Sequence, residues 1–315
     1  MKKRLLTSVG IFVTLALFFV LKVLVSDYFF DALILGMGVF AAYEASRLLT
    51  KSGLFNHLIP ATVFPSLLFV ANFLGIFFTL PIWLIVIIDI ALCLVGTVGV
   101  FVWNLLDKRV DNEIKIRGLS CSKAKFSLRK ACGNLIGFVY PSLFLMLMML
   151  LNHMDTFAFE KVAGFNGYLS VVILMLAFLI PIFTDTFAML TGMLIGGKKL
   201  CPKISPNKTI SGAVGGTVWC TLLSACVYLI LNSTDLFYDA FLAGGLPIWV
   251  FIIVAFLGSV VAQAGDLFES FLKRKADVKD SGKILPGHGG MLDRIDSYIF
   301  VTPFLLIAFV LLLVL

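Results

Sequence analysis

Between Gly265 and Ser297 an otherwise apolar chain carries a dense run of acids, cations, hydroxyls and glycines. If the stretch after Gly265 is helical, Asp266, Ser270, Lys273 and Arg274 recur at i, i+4, i+7 and i+8 and share one face. That face offers a metal-ligating carboxylate, a hydroxyl and two cations; a solvated helix at the membrane surface with an incidental ion pair is the structural alternative. Asp293 and Asp296 stand three apart before the last apolar run, so one helical turn directs both carboxylates the same way. Hard cations such as Mg²⁺ take oxygen ligands and commonly combine one or two carboxylates with substrate phosphates. Asp266, Asp293 and Asp296 together would make such a site. Arg294 would meet a phosphate or pair with Asp280 or Asp293. Lys279 and Asp280 precede the run Pro286-Gly287-His288-Gly289-Gly290, where glycines permit unusual backbone angles and expose N–H groups to an anion. A plain hairpin is the alternative there, and His288 serves a phosphate, acts as a proton donor, or makes a local hydrogen bond.

A second polar set lies upstream. Asp185 falls within an apolar run, where an ionised acid costs about 2.5–3.5 kcal/mol on insertion scales and therefore usually has a partner or a function. Asp89, with nothing polar around it in the sequence, reads as structural. Ser205, Lys208 and Thr209, in a Ser-Pro-Asn-Lys-Thr run ahead of a glycine-rich helix start, supply hydroxyls, a cation and backbone donors suited to an anion. The order is not that of a P-loop, which argues against an ATPase.

The elements that must position these residues are membrane helices. Sixty per cent of the 315 residues are apolar and only 14% are charged, which excludes an ordinary soluble domain. Apolar runs long enough for a hydrocarbon core of about 30 Å recur along the whole chain. We place about nine: Leu5 to Val25, Phe29 to Leu49, Leu58 to Phe78, Pro81 to Leu106, Gly133 to Leu151, Tyr168 to Ile195, Ser211 to Leu231, Leu246 to Ala264 and Tyr298 to Leu315. The sixth carries Pro181, Thr184 and Asp185, which leave open whether it is one helix or two halves broken around them. The segment from Asp107 to Asn134 reads as a basic surface element with short helices. The expected class is all-α and polytopic, a single membrane domain over 1–315. Within it, 1–164 holds the N-terminal helices and the basic loop, and 165–315 is the catalytic half.

With the N-terminus in the cytoplasm, all of the 25 Lys and Arg residues except Lys22 and Lys161 fall on the cytoplasmic side, as the positive-inside rule requires. The net charge of +7 thus sits on loops facing anionic headgroups and polyphosphates, and no nucleic-acid partner is expected. No small-x-small cleavage site precedes Ser26-Asp27, so a retained first helix is expected.

From about Thr184 to Asp296 the order of these blocks resembles the phosphatidate cytidylyltransferases, or CDP-diacylglycerol synthases. The matching blocks are Asp185-x-x-Ala188, Ser205-Pro-x-Lys208-Thr209, Gly265-Asp266-Leu-x-Glu269-Ser270 and the C-terminal signature through Asp293-Arg294-x-Asp296. The resemblance implies a polytopic enzyme of the plasma (inner) membrane with a cytoplasmic site. Its substrates would be CTP and phosphatidate, its products CDP-diacylglycerol and pyrophosphate, and its cofactor Mg²⁺, with a second cation left open. Membrane lipids are the expected surroundings, and a second copy of the chain is an open partner. By the same resemblance Asp266, Asp293 and Asp296 would be metal ligands, while Lys208, Lys273, Arg274 and Lys279 would hold phosphates. The chain departs from the commoner pattern at Met189, Asn207 and Ser211. A CTP-dependent polyprenol or lipid kinase is the nearest enzyme alternative. A transporter using intramembrane Asp89 and Asp185 is the alternative from another class.

Overall fold

The computed structural model describes residues 2–54, 57–116, 118, 121–159, 169–233, 247–285 and 289–314. The chain forms two compact units: Met1–Met146 with Leu272–Asp293, and Leu147–Phe271 with Arg294–Leu315. Among the described residues eight helices are long and apolar enough to cross a membrane, and a shorter apolar stretch runs over Val9–Leu24. This is the architecture of an all-α polytopic membrane protein, because helices satisfy their own backbone polar groups in lipid.

The first unit begins with α1 (Lys2–Leu24), α2 (Tyr28–Leu49), α3 (Leu58–Phe77) and α4 (Ile82–Leu106). Small residues on α2, Ala41, Ala42 and Ala45, are almost completely buried and let neighbouring helices approach closely. A wide turn follows α2 at Thr50–Leu54, where Gly53 takes φ +86°. The basic segment folds as α5 (Arg109–Ile116) and α6 (Lys123–Gly137). Val110 and Ile114 of α5 bury against Phe126 of α6, and Lys130 reaches Glu113 at 2.5 Å. The Ser122 hydroxyl caps α6 by accepting from the Lys125 N–H. After an irregular turn at Phe138–Leu143, α7 (Phe144–Asn152) carries the chain into the second unit.

There α8 (Met154–Phe159) precedes α9 (Leu169–Ile195), which is continuous through Pro181. The break left open for the sixth span does not occur. One proline removes a single helical hydrogen bond, and the close seating of α10 (Ile210–Asn232) along α9 keeps the helix in register. A Cβ on Gly216 would stand 2.7 Å from the Thr184 carbonyl, and one on Gly212 would stand 2.6 Å from that of Ala188. The glycines of α10 and the small Ala188 are thus two sides of one tight contact. Between the two helices lies a hairpin of β1 (Lys199–Cys201) and β2 (Ser205–Thr209), antiparallel, pairing Lys199 with Thr209 and Cys201 with Ser205. Then α11 (Ile248–Lys275) and α12 (Leu292–Val314) complete the chain, each contributing residues to both units. All six cysteines are free.

Candidate active site

In the second unit the polar residues gather where the β-hairpin, α9, α11 and α12 meet. Close approach fixes the α11–α12 crossing: a Cβ on Gly265 would lie 2.7 Å from the Asp296 carbonyl and 3.2 Å from Phe300, and Phe268 packs on Phe300 with ring centroids 5.5 Å apart. Glycine at 265 is therefore what allows Asp266 to stand beside the first turns of α12. Lys208, carried on β2, forms an ion pair with Asp266, and the Ser270 hydroxyl sits one turn on, 3.4 Å from the other Asp266 oxygen. Asp185 on α9 faces both Asp266 and Lys208. A cation paired with one acid and within electrostatic reach of the other offsets their mutual repulsion. Asp296 is buried, with one oxygen 2.7 Å from the Ser297 N–H, and Arg294 is exposed. Thr209 caps α10, accepting from the Gly212 N–H at 3.1 Å, so one donor of that helix start is already taken. Ser205 opens β2 and is half-buried.

Below this centre a buried hydrogen-bonded chain crosses three helices. The Thr184 hydroxyl donates to Ser259 at 2.9 Å, Ser259 donates to Thr217 at 3.2 Å, and the Gln263 amide donates to Thr217 at 2.9 Å and to the Ala213 carbonyl at 3.2 Å. Such a satisfied network ties α9, α10 and α11 together at the level of Asp185.

In the first unit the C-terminal signature folds around two carboxylates. Asp293, in the first turn of α12, receives Lys273 at 2.9 Å, the Ser281 N–H at 3.0 Å and the Gly290 N–H at 2.7 Å. Gly289 takes φ +89°, and a Cβ there would stand 2.7 Å from the Asp293 carboxylate, so this position needs glycine twice over. The other carboxylate is Glu44, toward the C-terminal end of α2 and 1% exposed. It accepts from the Ser281 hydroxyl at 3.1 Å and from the Leu292 N–H at 2.9 Å. A Cβ on either Gly282 or Gly290 would collide with it. Arg274, Lys279 and Asp280 are exposed, the last two lining an open cavity with residues of α2.

The structure thus brings Asp185, Lys208, Asp266 and Ser270 together in one unit and Lys273, Asp293 and Gly290 together in the other. His288 lies outside the described residues. Sequence reasoning missed Glu44, Ser259 and Gln263. For the last two a signal existed, because Ser259, Gln263, Asp266 and Ser270 follow at steps of four, three and four and form a polar stripe on an apolar helix. Glu44 had no motif around it.

The oxygen donors of Asp185, Asp266 and Asp296 have the hard character that Mg²⁺ prefers, although among the described residues no three His, Cys, Asp or Glu side chains cluster closely enough to hold an ion by themselves. A divalent ion completed by substrate phosphates fits such a donor set.

A model of the cytidylyltransferase family matches residues 2–312. Phosphatidate cytidylyltransferase of Staphylococcus haemolyticus is 48% identical over 129 residues, 41% of this chain and 45% of the relative. The proteins of that name from Staphylococcus saprophyticus and Staphylococcus aureus are each 46% identical, over 132 and 129 residues, or 42% and 41% of this chain. These matches span 46% and 45% of the two relatives, so the chain covers a little under half the length of the curated relatives it matches.

Proposed function

Because the chain belongs to the cytidylyltransferase family, we propose that it transfers the cytidylyl group of CTP to phosphatidate, giving CDP-diacylglycerol and pyrophosphate. The observation that carries this reading is the pairing of Lys208 with Asp266, two signature residues 58 positions apart that form one polar centre with Asp185. The names of the relatives support the substrate pair.

An oxygen of the lipid phosphate attacks the α-phosphorus of CTP. A new P–O bond forms, the α–β phosphoanhydride bond breaks, and its electron pair leaves on pyrophosphate. A phosphate monoester with a second pKa near about 6 is largely dianionic at neutral pH, so the nucleophile needs no strong base, and His288 is assigned none of that work. The residues instead position and neutralise. Lys208 takes phosphate oxygens while Asp266 holds its ammonium in place; Ser205, Ser270 and Thr209 supply hydroxyls. At the end of α11 Lys273 and Arg274, and in the signature loop Lys279, bear on phosphates, with Asp293 and the Gly289-Gly290 turn setting the loop's shape. Mg²⁺, alone or with a second cation, is the proposed cofactor, with Asp266 and Asp296 as its protein ligands beside substrate phosphates, while Asp293, the third expected ligand, is left out because its carboxylate already accepts from Lys273 and the Ser281 and Gly290 N–H groups. When bound it would screen the repulsion between two polyanions. The site is assigned to the cytoplasmic side of the plasma membrane, on the strength of the basic-residue asymmetry.

The test is stoichiometry. Purified protein is incubated with phosphatidate, CTP and Mg²⁺, with pyrophosphate and CDP quantified separately. Pyrophosphate equal to the lipid product supports cytidylyl transfer, whereas CDP in that proportion makes the chain a kinase.

A further inference from the structure

The cavity of the first unit that Lys279 and Asp280 line also has walls from the N-terminal half, whose residues have been given no role so far. Its volume is about 480 Å³, within the roughly 300–1,000 Å³ typical of small-molecule sites. Its walls are Arg47 and Lys51, from the end of α2 and the turn after it, and the segment from Val278 to Lys283. Four cations, Arg47, Lys51, Lys279 and Lys283, face this space against one carboxylate, Asp280. Like charges around one opening repel one another, and a cleft lined by one sign of charge concentrates the opposite ion.

The walls are also fixed in place. Glu44, one turn before Leu48 on α2, is buried and holds the far wall through Ser281 and Leu292. Arg47 is held by Tyr43, its guanidinium 5.6 Å from the ring centroid and its Nη1 3.5 Å from the hydroxyl. A cation set on a preformed wall loses little entropy when it binds, and a guanidinium matches phosphate oxygens two at a time.

We infer that this cavity receives a phosphate group, with Arg47 and Lys51 of the N-terminal half as binding residues. Two sources share that chemistry, the triphosphate of CTP and the phosphomonoester of the lipid. The inference deepens the proposed function and rests on it for the choice between these sources.

Full-length protein is reconstituted in nanodiscs, and the Arg47→Ala/Lys51→Ala variant is compared with wild type. Lys108→Ala serves as the control, an exposed cation away from the cavity. The KM for CTP is measured at saturating phosphatidate, and the KM for phosphatidate, as a mole fraction, at saturating CTP. One of the two should rise about tenfold with kcat little changed, the pattern of lost charge-assisted binding. A rise for CTP assigns the cavity to the polyphosphate, and a rise for the lipid assigns it to the headgroup. Should the double variant fail to fold, Lys51→Ala alone, altered only at an exposed turn position, takes its place. Arg47→Lys, which keeps the charge, should recover part of the affinity. Both KM values within twofold of wild type would overturn the inference while leaving the proposed reaction intact. If wild type makes no CDP-lipid, the proposed reaction fails, and the cavity is judged by binding of inorganic pyrophosphate alone: weaker binding to the variant sustains it and equal binding ends it.

Discussion

Replacing Glu44 tests whether an acid on an N-terminal helix organises a loop at the other end of the sequence. In Glu44→Ala the Ser281 hydroxyl and the Leu292 N–H lose their shared acceptor in a site that is 1% exposed. A buried donor left without a partner costs about 1–3 kcal/mol, so the two together cost about 2–6 kcal/mol. At about 2.1 cal/mol/K of unfolding entropy per residue, 315 residues give roughly 1.5 °C per kcal/mol, so the apparent Tm in detergent should fall by at least about 3 °C. Turnover should fall further than stability explains, because displacing a positioned group by about 1 Å can cost about 100-fold. Glu44→Gln retains the shape and one acceptor oxygen, and should lose roughly 1 kcal/mol, the difference between a charged and a neutral acceptor. Fluorescence-detected melting and CDP-lipid formation on the same preparations provide both readings. An Ala variant that melts with wild type and turns over normally would refute the reasoning.

Other expectations follow from single contacts. Asp266→Asn and Lys208→Ala should each lower turnover by about 100-fold or more, and the double variant should lose no more than the worse single, since the two act as a pair; additive losses would separate them. Gly290→Ala places a methyl group against Ser281 and Glu44 and should destabilise by about 1–3 kcal/mol, measured by melting, whereas Gly99→Ala, with open space around it and no positive φ, should cost less. His57 bonds Asn104 at 3.0 Å, and burial holds its pKa below the ordinary 6.5. Below that pH the unfolded chain takes up a proton that the folded one resists, so stability should decline on acidification. Subtracting the pH–Tm curve of His57→Gln should remove that component, and identical curves would contradict it.

Much of the membrane architecture was legible because lipid leaves a chain few options: against about nine expected runs, eight helices among the described residues are long and apolar enough to span, and the fifth run is interrupted by the irregular turn at Phe138–Leu143. Pro181 left the sixth span undecided because a proline weakens a helix locally, while the glycine-lined contact with α10 that supports α9 appears only in three dimensions. The chemistry of Lys208 and Asp266 was readable as residue types in a family order, and their contact was not, since it joins a hairpin strand to a helix. Glu44 was invisible for the same reason in stronger form, its partners lying 237 and 248 residues away. One acid in an apolar helix has the same sequence signature whether it pairs across the bundle or, like Asp89 beside Asn72, sits in the interior of one.

The central claim concerns which phosphorus of CTP reaches the lipid, and the position of an isotope decides it. With phosphatidate, Mg²⁺ and CTP labelled at either the α- or the γ-phosphorus, the α-label should appear in the lipid product and the γ-label in pyrophosphate. A lipid that carries the γ-label, with the α-label left in CDP, would contradict the account.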